Sequence, residues 1–331
     1  AAPPALAATK RPPPTAEQAS SDVKRARDVG VNLTVFDVAH DHGLRTGLYA
    51  SKSKFALYDR SYGASHGAPD ATGPNDGRDK IDTFVYDSDT GDLVRQLVAD
   101  LRAEPYGYVF VHLRDPDSAG HAFGWRLWSW HPYMRAVRRA DARIGEILAA
   151  IDSDPELSGH TALVVTADHG GTGHHHGAGE REHYTVPFYL WAPGVEPGDL
   201  YALYPNAFAD PSDLRPGFGG DLQPVRNGAA GNVSLALLGL PPIPGSTISM
   251  AGKTKSVARI TSTGKTFGPS SLSLRTKAIS ISMMGEKNVS ISSGVCSGRK
   301  RSFVIALKSG SEDPAISCIG LDRIPAALIP R

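Results

Sequence analysis

The chain has 331 residues, of which 40% are hydrophobic and 21% charged, a composition typical of a soluble globular protein. Its net charge of +1 gives no sign of a specific nucleic-acid partner, and no run approaches the roughly 20 apolar residues of a membrane span. The two cysteines, Cys296 and Cys318, lack a CxxC spacing, so we do not expect a thiolate metal site.

The two ends differ in composition from the middle. Residues 1–30 are rich in Ala and Pro with few large apolar side chains, which predicts a flexible arm, and the chain shows no signal peptide. Residues 250–331 carry 13 Lys and Arg against 4 Asp and Glu, whereas residues 1–249 carry 22 against 30. This basic, Ser-rich tail is either an appended β module or sequence foreign to the natural reading frame. The second interpretation is favoured and predicts low order in 1–28 and 250–331.

Helix and strand patterns alternate between these ends. Helices are predicted at 32–43, 90–104, 131–151 and 227–242, and a long loop at 61–79. Strands are predicted at 44–51, 81–87, 106–113, 160–167 and 184–193, with shorter ones in the tail at 277–284, 288–292 and 302–309. This alternation predicts an α/β fold, a doubly wound and mostly parallel sheet flanked by helices.

Two groups of Asp and His follow the two most apolar strands. "RDPDSAGH" follows strand 106–113 and "ADHGGTGHHHG" follows strand 160–167. Asp117 and His121 are four apart, so on a helical turn they share one face, and Asp168 and His169 are adjacent where the chain leaves its strand. Because ligands bind at the carboxyl ends of strands in open α/β sheets, the two groups are expected to converge.

This chemistry points to a metal centre. Carboxylate and imidazole ligands without thiolate suit Zn²⁺, with Mn²⁺ or Fe as alternatives. Two ions roughly 3.5–4 Å apart would bind the attacking and leaving oxygens of a phosphoryl transfer.

Each group of Asp and His alone has a simpler interpretation, as solvated side chains or a Gly-rich turn. The triplet His174–His176 is equally a polar loop in which at most one His is a specific ligand. Asp115 has the less suitable spacing to His121, and His112 and His131 are interpreted as structural.

Together "DPDSAGH", "VVTADHGG" and "YTVPFYLWAPG" resemble the alkaline phosphatase superfamily, most closely its type I phosphodiesterase/nucleotide pyrophosphatase-like branch. "TVFDVAHDHGLRTGLYASKSKF" and "NVSLALLGLPPIPGSTI" extend the resemblance over about residues 31–249, which we take as the core domain. The resemblance implies an alkaline phosphatase-like fold, hydrolysis of phosphoric esters, two divalent ions and export to the periplasm or the cell exterior.

The resemblance also implies a division of the ligands. The first ion would take Asp117, His121 and a His downstream of "DHG", with His176 as first choice and His183 as the alternate. The second ion would take Asp168 and His169. Zn²⁺ is the expected metal, and a small-molecule phosphoester is the expected substrate.

Two further groups that the family supplies from its N-terminal part are not seen. They are an Asp that ends the first strand and the Thr or Ser nucleophile that opens the next helix. Ser20, Ser21 and Asp22 have suitable side chains but no apolar strand to hold them. The fold is therefore expected to be N-terminally incomplete, with an edge or gap in the sheet. The predicted function is a metal-dependent phosphodiesterase or phosphatase that is impaired. The alternatives are an inactive metal-binding or interaction module, and a sulfatase or phosphonate hydrolase.

Overall fold

The computed structural model describes residues 33–68, 78–193, 195, 198–206, 208–212, 214–217, 220, 222–244 and 246, and the backbones of 277–283 and 304–306. The strands are β1 Thr46–Ala50, β2 Thr83–Tyr86, β3 Tyr108–Leu113, β4 Thr161–Ala167, β5 Phe188–Trp191, β6 Gly198–Asp199, β7 Lys277–Met283 and β8 Val304–Ala306. The helices are α1 Val35–Asp41, α2 Ala56–Ser61, α3 Thr90–Ala103, α4 Asp115–Phe123, α5 Pro132–Ser153, α6 Arg181–Tyr184, α7 Leu200–Leu203 and α8 Ala229–Leu237, with a 3₁₀ helix at Ser53–Phe55.

These strands form one sheet in the order β2-β1-β3-β7-β4-β5-β8-β6. Neighbours from β2 through β4 are parallel, whereas β5 runs antiparallel to both β4 and β8. The predicted mostly parallel α/β sheet is therefore confirmed.

Helices cover both faces of the sheet because its central strands are apolar on both sides. On one face, Leu97 of α3 and Ile147 of α5 belong to the same buried cluster as Val111 of β3. On the other face, residues of α1 pack with β1 and residues of α8 pack with β4. Burial of alternate residues against opposite helical layers is what a doubly wound sheet requires.

Two strands come from the segment predicted as a tail. Strand β7 lies between β3 and β4 and pairs in parallel with both. Strand β8 pairs with β5 and β6. We expected an edge or a gap somewhere in the sheet from a missing strand; across the described strands the sheet is continuous from β2 to β6. The remaining tail residues, including the predicted strand 288–292, lie outside the described residues.

Several other predictions also concern residues outside the described ranges. The arm 1–30, with Ser20, Ser21 and Asp22, is one of them, and residues 69–77 of the predicted loop 61–79 are another. Within the described ranges, none of the helices has the length and apolar character needed to cross a membrane. Helix α4 connects the sheet to the predicted site, since its first turn carries Asp117 and its last turn carries His121.

Candidate metal centre

The centre lies at the carboxyl edge of the sheet. Strand β3 ends at Leu113 and leads directly into α4, which has Pro116 in its first turn and ends before Gly124, where φ is +86°. This short helix places Asp117 and His121 one turn apart on one face, with His121 Nε2 at 3.4 Å from Asp117 Oδ1. The predicted helical pairing of these two residues is confirmed.

The segment after β4 meets this helix. His169 Nε2 lies 3.9 Å from Asp117 Oδ1 and 3.5 Å from Asp168 Oδ2. The ring of His176 stacks on that of His169, with centroids 3.7 Å apart, and lies 5.0 Å from the ring of His121. Potential ligand atoms of Asp117, His169 and His176 all fall within 4.8 Å of one another. The two sequence groups therefore come together as one cluster.

Two of the imidazoles are oriented with Nε2 toward the cluster. His121 Nδ1 lies 3.0 Å from the carbonyl oxygen of His174, and His169 Nδ1 lies 2.9 Å from that of Gly170. A carbonyl oxygen only accepts, so each Nδ1 is a donor and Nε2 is the ring nitrogen left to bind a metal. Metal-binding histidines are oriented in this way by a partner on the other ring nitrogen.

Two buried atoms in the cluster lack a hydrogen-bond partner, Asp117 Oδ1 and His169 Nε2. They lie 3.9 Å apart, and with the His169 ring neutral both are acceptors, so neither can satisfy the other. An unpartnered buried polar atom is costly, and a cation between the two would remove the cost for both. The residues present therefore fit a divalent ion, and their N and O donor set suits Zn²⁺, Mn²⁺ or Fe.

Lys52 completes the surroundings of Asp117. Its Nζ donates to Asp117 Oδ2 at 2.6 Å, and the carboxylate is 3% exposed. Burial alone would raise the pKa of Asp117, but the hydrogen bond and the charge of Lys52 hold it below its ordinary value. Sequence reasoning missed Lys52, although it follows β1 at the same edge of the sheet.

Burial shifts the pKa values of Asp168 and His176 in opposite directions, and each shift favours the uncharged form of its group. Burial raises the pKa of Asp168. Burial also lowers the pKa of His176. His176 is thereby favoured as a neutral ring, which is the form that can bind a metal.

The indole of Trp125 packs against His121 and His176. It is 1% exposed, and its ring lies 5.0 Å from that of His121 and 6.2 Å from that of His176. A Cβ on Gly120 or Gly171 would lie 2.2 or 2.6 Å from the indole, so only glycine allows α4 and the loop after β4 to close on it. Neither Trp125 nor this use of the two glycines was predicted.

His183 occupies a different place from His176. Its Nδ1 lies 2.9 Å from the carbonyl oxygen of Ala178, and its Nε2 lies 2.8 Å from Thr172 Oγ1. Thr172 Oγ1 also contacts Glu180 at 2.6 Å. Both ring nitrogens of His183 therefore have hydrogen-bond partners in its own loop. His183 stabilises the loop that carries His176 and does not join the Asp117–His169–His176 cluster.

The two histidines interpreted as structural, and Asp115 with its less suitable spacing, have local partners. His112 Nδ1 lies 3.2 Å from Ser51 Oγ, and burial, followed by the charges of Lys52 and Lys54, lowers its pKa to about 3. His131 accepts from the backbone N–H of Tyr133 at the start of α5. Asp115 pairs with Arg139 at 3.2 Å.

A family model described as type I phosphodiesterase / nucleotide pyrophosphatase matches residues 14–208. The match covers more than half of the chain and includes every residue of the candidate centre. No solved structure matches the chain.

Proposed function

Because the chain belongs to the type I phosphodiesterase/nucleotide pyrophosphatase family, we propose that it is a metal-dependent hydrolase of phosphoric esters. The family implies phosphoric ester hydrolysis and divalent metals in general, and the Asp117–His169–His176 cluster is a possible site for the metal. The observation that carries the proposal is the pair of facing, unpartnered acceptors, Asp117 Oδ1 and His169 Nε2.

The proposed centre holds two ions, with Zn²⁺ preferred over Mn²⁺ or Fe. The resemblance assigns Asp117, His121 and His176 to the first ion and Asp168 and His169 to the second. The grouping of Asp117, His169 and His176 supports a different division, in which His169 shares an ion with Asp117. His176 is preferred to His183 because its ring stacks on His169, whereas both nitrogens of His183 contact its own loop.

When bound, divalent ions supply charge stabilisation to phosphoryl oxygens and lower the pKa of a coordinated water. The chain's own residues prepare this chemistry. Lys52 holds Asp117 in one orientation and keeps it ionised, and the carbonyls of His174 and Gly170 orient His121 and His169. The His121 side chain is 47% exposed, so a small phosphoester can reach this side of the cluster.

The second candidate is a metal-binding module with weak or no turnover. It is favoured by the sequence prediction that neither the Thr or Ser nucleophile nor the additional Asp implied by the family is identified over residues 31–249, where the resemblance lies. A nucleophile divides one difficult displacement into two easier steps, so a centre without one is expected to hydrolyse esters slowly. We therefore propose impaired hydrolysis by this chain.

One experiment separates the candidates. The chain is stripped of metal with a chelator and reloaded with Zn²⁺ or Mn²⁺, and bound metal is measured beside turnover of p-nitrophenyl esters. Metal-dependent hydrolysis of bis-p-nitrophenyl phosphate or p-nitrophenyl phosphate is the expected result. Bound metal without turnover of any ester would favour the inactive module. Preference for p-nitrophenyl sulfate or a p-nitrophenyl phosphonate would favour a sulfatase or a phosphonate hydrolase. Absence of bound metal would contradict both candidates.

Two further parts of the proposal rest on the family resemblance. The substrate is proposed to be a small-molecule phosphoester, and the chain is proposed to act outside the cytoplasm. The panel of chromogenic esters tests the first part, and cell fractionation of the full-length protein in its host tests the second.

A further inference from the structure

The segment Phe123–Trp130, here called the aromatic segment, exposes large apolar side chains beside the candidate metal centre. Phe123, Trp128 and Trp130 are 54%, 52% and 66% exposed, which places all three among the most exposed large hydrophobic residues described. Trp125 in the same segment is buried and contacts His121 and His176. A cluster of exposed aromatic rings on a folded domain marks an interaction surface.

The charge around this segment has one sign. From Ser118 to Ala140 the sequence contains four arginines and no acidic residue. Arg126, Arg135 and Arg138 are exposed, and Arg138 anchors the segment by donating to the carbonyl oxygen of Ser129 at 2.5 Å. Arg139 is partly neutralised by Asp115. The surface is therefore complementary to a negatively charged partner.

The two exposed indoles pack against each other. Trp128 and Trp130 stack with centroids 5.3 Å apart and planes 30° apart, so each presents one face to the other. The guanidinium of Arg126 lies 5.2 Å from the ring centroid of Trp128. Exposed Trp side chains beside arginines suit the headgroup level of an anionic lipid bilayer, where the indoles enter the interface and the arginines meet phosphates. A single-stranded nucleic acid would instead stack its bases on the exposed rings, an outcome that the test below distinguishes.

We propose that the aromatic segment docks the protein on an anionic phospholipid surface. Trp128 and Trp130 enter the interface, and Arg126, Arg135 and Arg138 bind the lipid phosphates. Attachment is peripheral, since within the described residues no helix can span a membrane. The nearby His121 and His176 would then face lipid headgroups, which are themselves phosphodiesters. Hydrolysis of these headgroups rests on the proposed function, whereas docking does not.

The test uses the full chain and vesicles, with no turnover assay. Sedimentation is measured with vesicles of phosphatidylcholine alone and with about 30% phosphatidylserine. The variant is Trp128→Ser/Trp130→Ser, and the matched control is Leu214→Ser, which removes an apolar side chain that is 73% exposed. Circular dichroism checks that each variant is folded. A labelled oligothymidylate tests the nucleic-acid alternative.

The expected result is binding to anionic vesicles with a blue shift of tryptophan emission, lost at about 0.5 M salt. The double Trp variant is expected to bind at least about tenfold more weakly, and Leu214→Ser as tightly as the unmodified chain. The proposal is overturned if the chain does not bind vesicles, or if the double Trp variant binds them as tightly as the unmodified chain. It is also overturned if the chain binds the oligothymidylate but not vesicles, and this binding is lost in the double Trp variant. Because these readouts do not depend on hydrolysis, their failure is distinct from failure of the proposed function.

Discussion

Lys52 Nζ donates to Oδ2 of the buried Asp117 at 2.6 Å and so leaves Oδ1 as the oxygen that faces the histidines. The contact joins residues 65 positions apart, Lys52 just after β1 and Asp117 in the helix that follows β3. It selects which carboxylate oxygen is free for a metal and keeps the group ionised. Lys52 is thus a positioning residue for the proposed centre.

Replacing Lys52 is expected to weaken metal binding. In Lys52→Met the side chain of Asp117 loses its anchor and the charge that lowers its pKa, so protons compete with metal at higher pH. Zn²⁺ affinity measured by calorimetry is expected to fall about tenfold or more, as for other partners that orient metal ligands. The pH at which half the metal is lost is expected to rise. Lys52→Arg should restore part of the affinity, and equal affinities for Lys52→Met and the unmodified chain would contradict this role.

The two helical glycines Gly120 and Gly145 provide a matched pair. A Cβ on Gly120 would lie 2.2 Å from the Trp125 ring, whereas one on Gly145 of α5 meets no atom within 4 Å. Gly120→Ala is expected to lower the free energy of unfolding by about 1–3 kcal/mol through overpacking. Gly145→Ala is expected to raise it by about 0.5–1 kcal/mol through helix propensity. Urea denaturation measures both, and equal effects would contradict the close packing under His121.

His176 and His183 are expected to respond differently to truncation. His176→Ala removes a proposed ligand, so metal affinity should fall at least about tenfold with little change in stability. His183→Ala leaves Thr172 without its buried partner, so the free energy of unfolding should fall by about 1–3 kcal/mol while most of the metal affinity is kept. The reverse pattern would show that His183 is the ligand.

Asp141 predicts a pH dependence of stability that is independent of the metal. Burial raises its pKa to about 6, above the 3.8 of the unfolded chain, so the folded state binds the proton more tightly. The free energy of unfolding should therefore fall as pH rises from about 4 to above 6, because ionising the buried carboxyl is costly. Asp141→Asn is expected to raise stability at neutral pH by about 2–3 kcal/mol and to flatten this profile.

The control for Asp141 is Asp152→Asn at an exposed position of the same helix. Chemical denaturation across the acid range should show no flattening for this variant. Superimposable profiles for Asp141→Asn and the unmodified chain would contradict the raised pKa of Asp141.

Sequence patterns were sufficient for the long elements and for part of the centre. The apolar runs of β3 and β4 and the helical spacing in α5 depend on local periodicity, which can be read directly. Asp117 and His121 were predictable for the same reason, because their contact lies within one helical turn. Convergence with His169 followed from the rule that strand ends of a parallel sheet meet at one edge.

What could not be predicted depends on contacts between distant segments. The place of β7 between β3 and β4 is a matter of strand order, about which an alternating "KAISISMM" says nothing. The choice between His176 and His183 depends on how one loop folds back, which Thr172 and Ala178 determine through contacts with His183. Lys52 and Trp125 were missed because a Lys after a strand and a Trp after a helix have no spacing that marks them.

The most direct measurement is a Zn²⁺ titration of the chelator-stripped chain beside His169→Gln. His169 carries the unpartnered Nε2 that faces both Asp117 and Asp168, so the variant removes the donor shared by the two halves of the cluster. We predict stoichiometric binding with a Kd of roughly 1 μM or lower for the unmodified chain, and a loss of at least about tenfold in the variant. Absence of stoichiometric binding, or equal affinity in His169→Gln, would contradict the claim that these Asp and His residues form a metal centre.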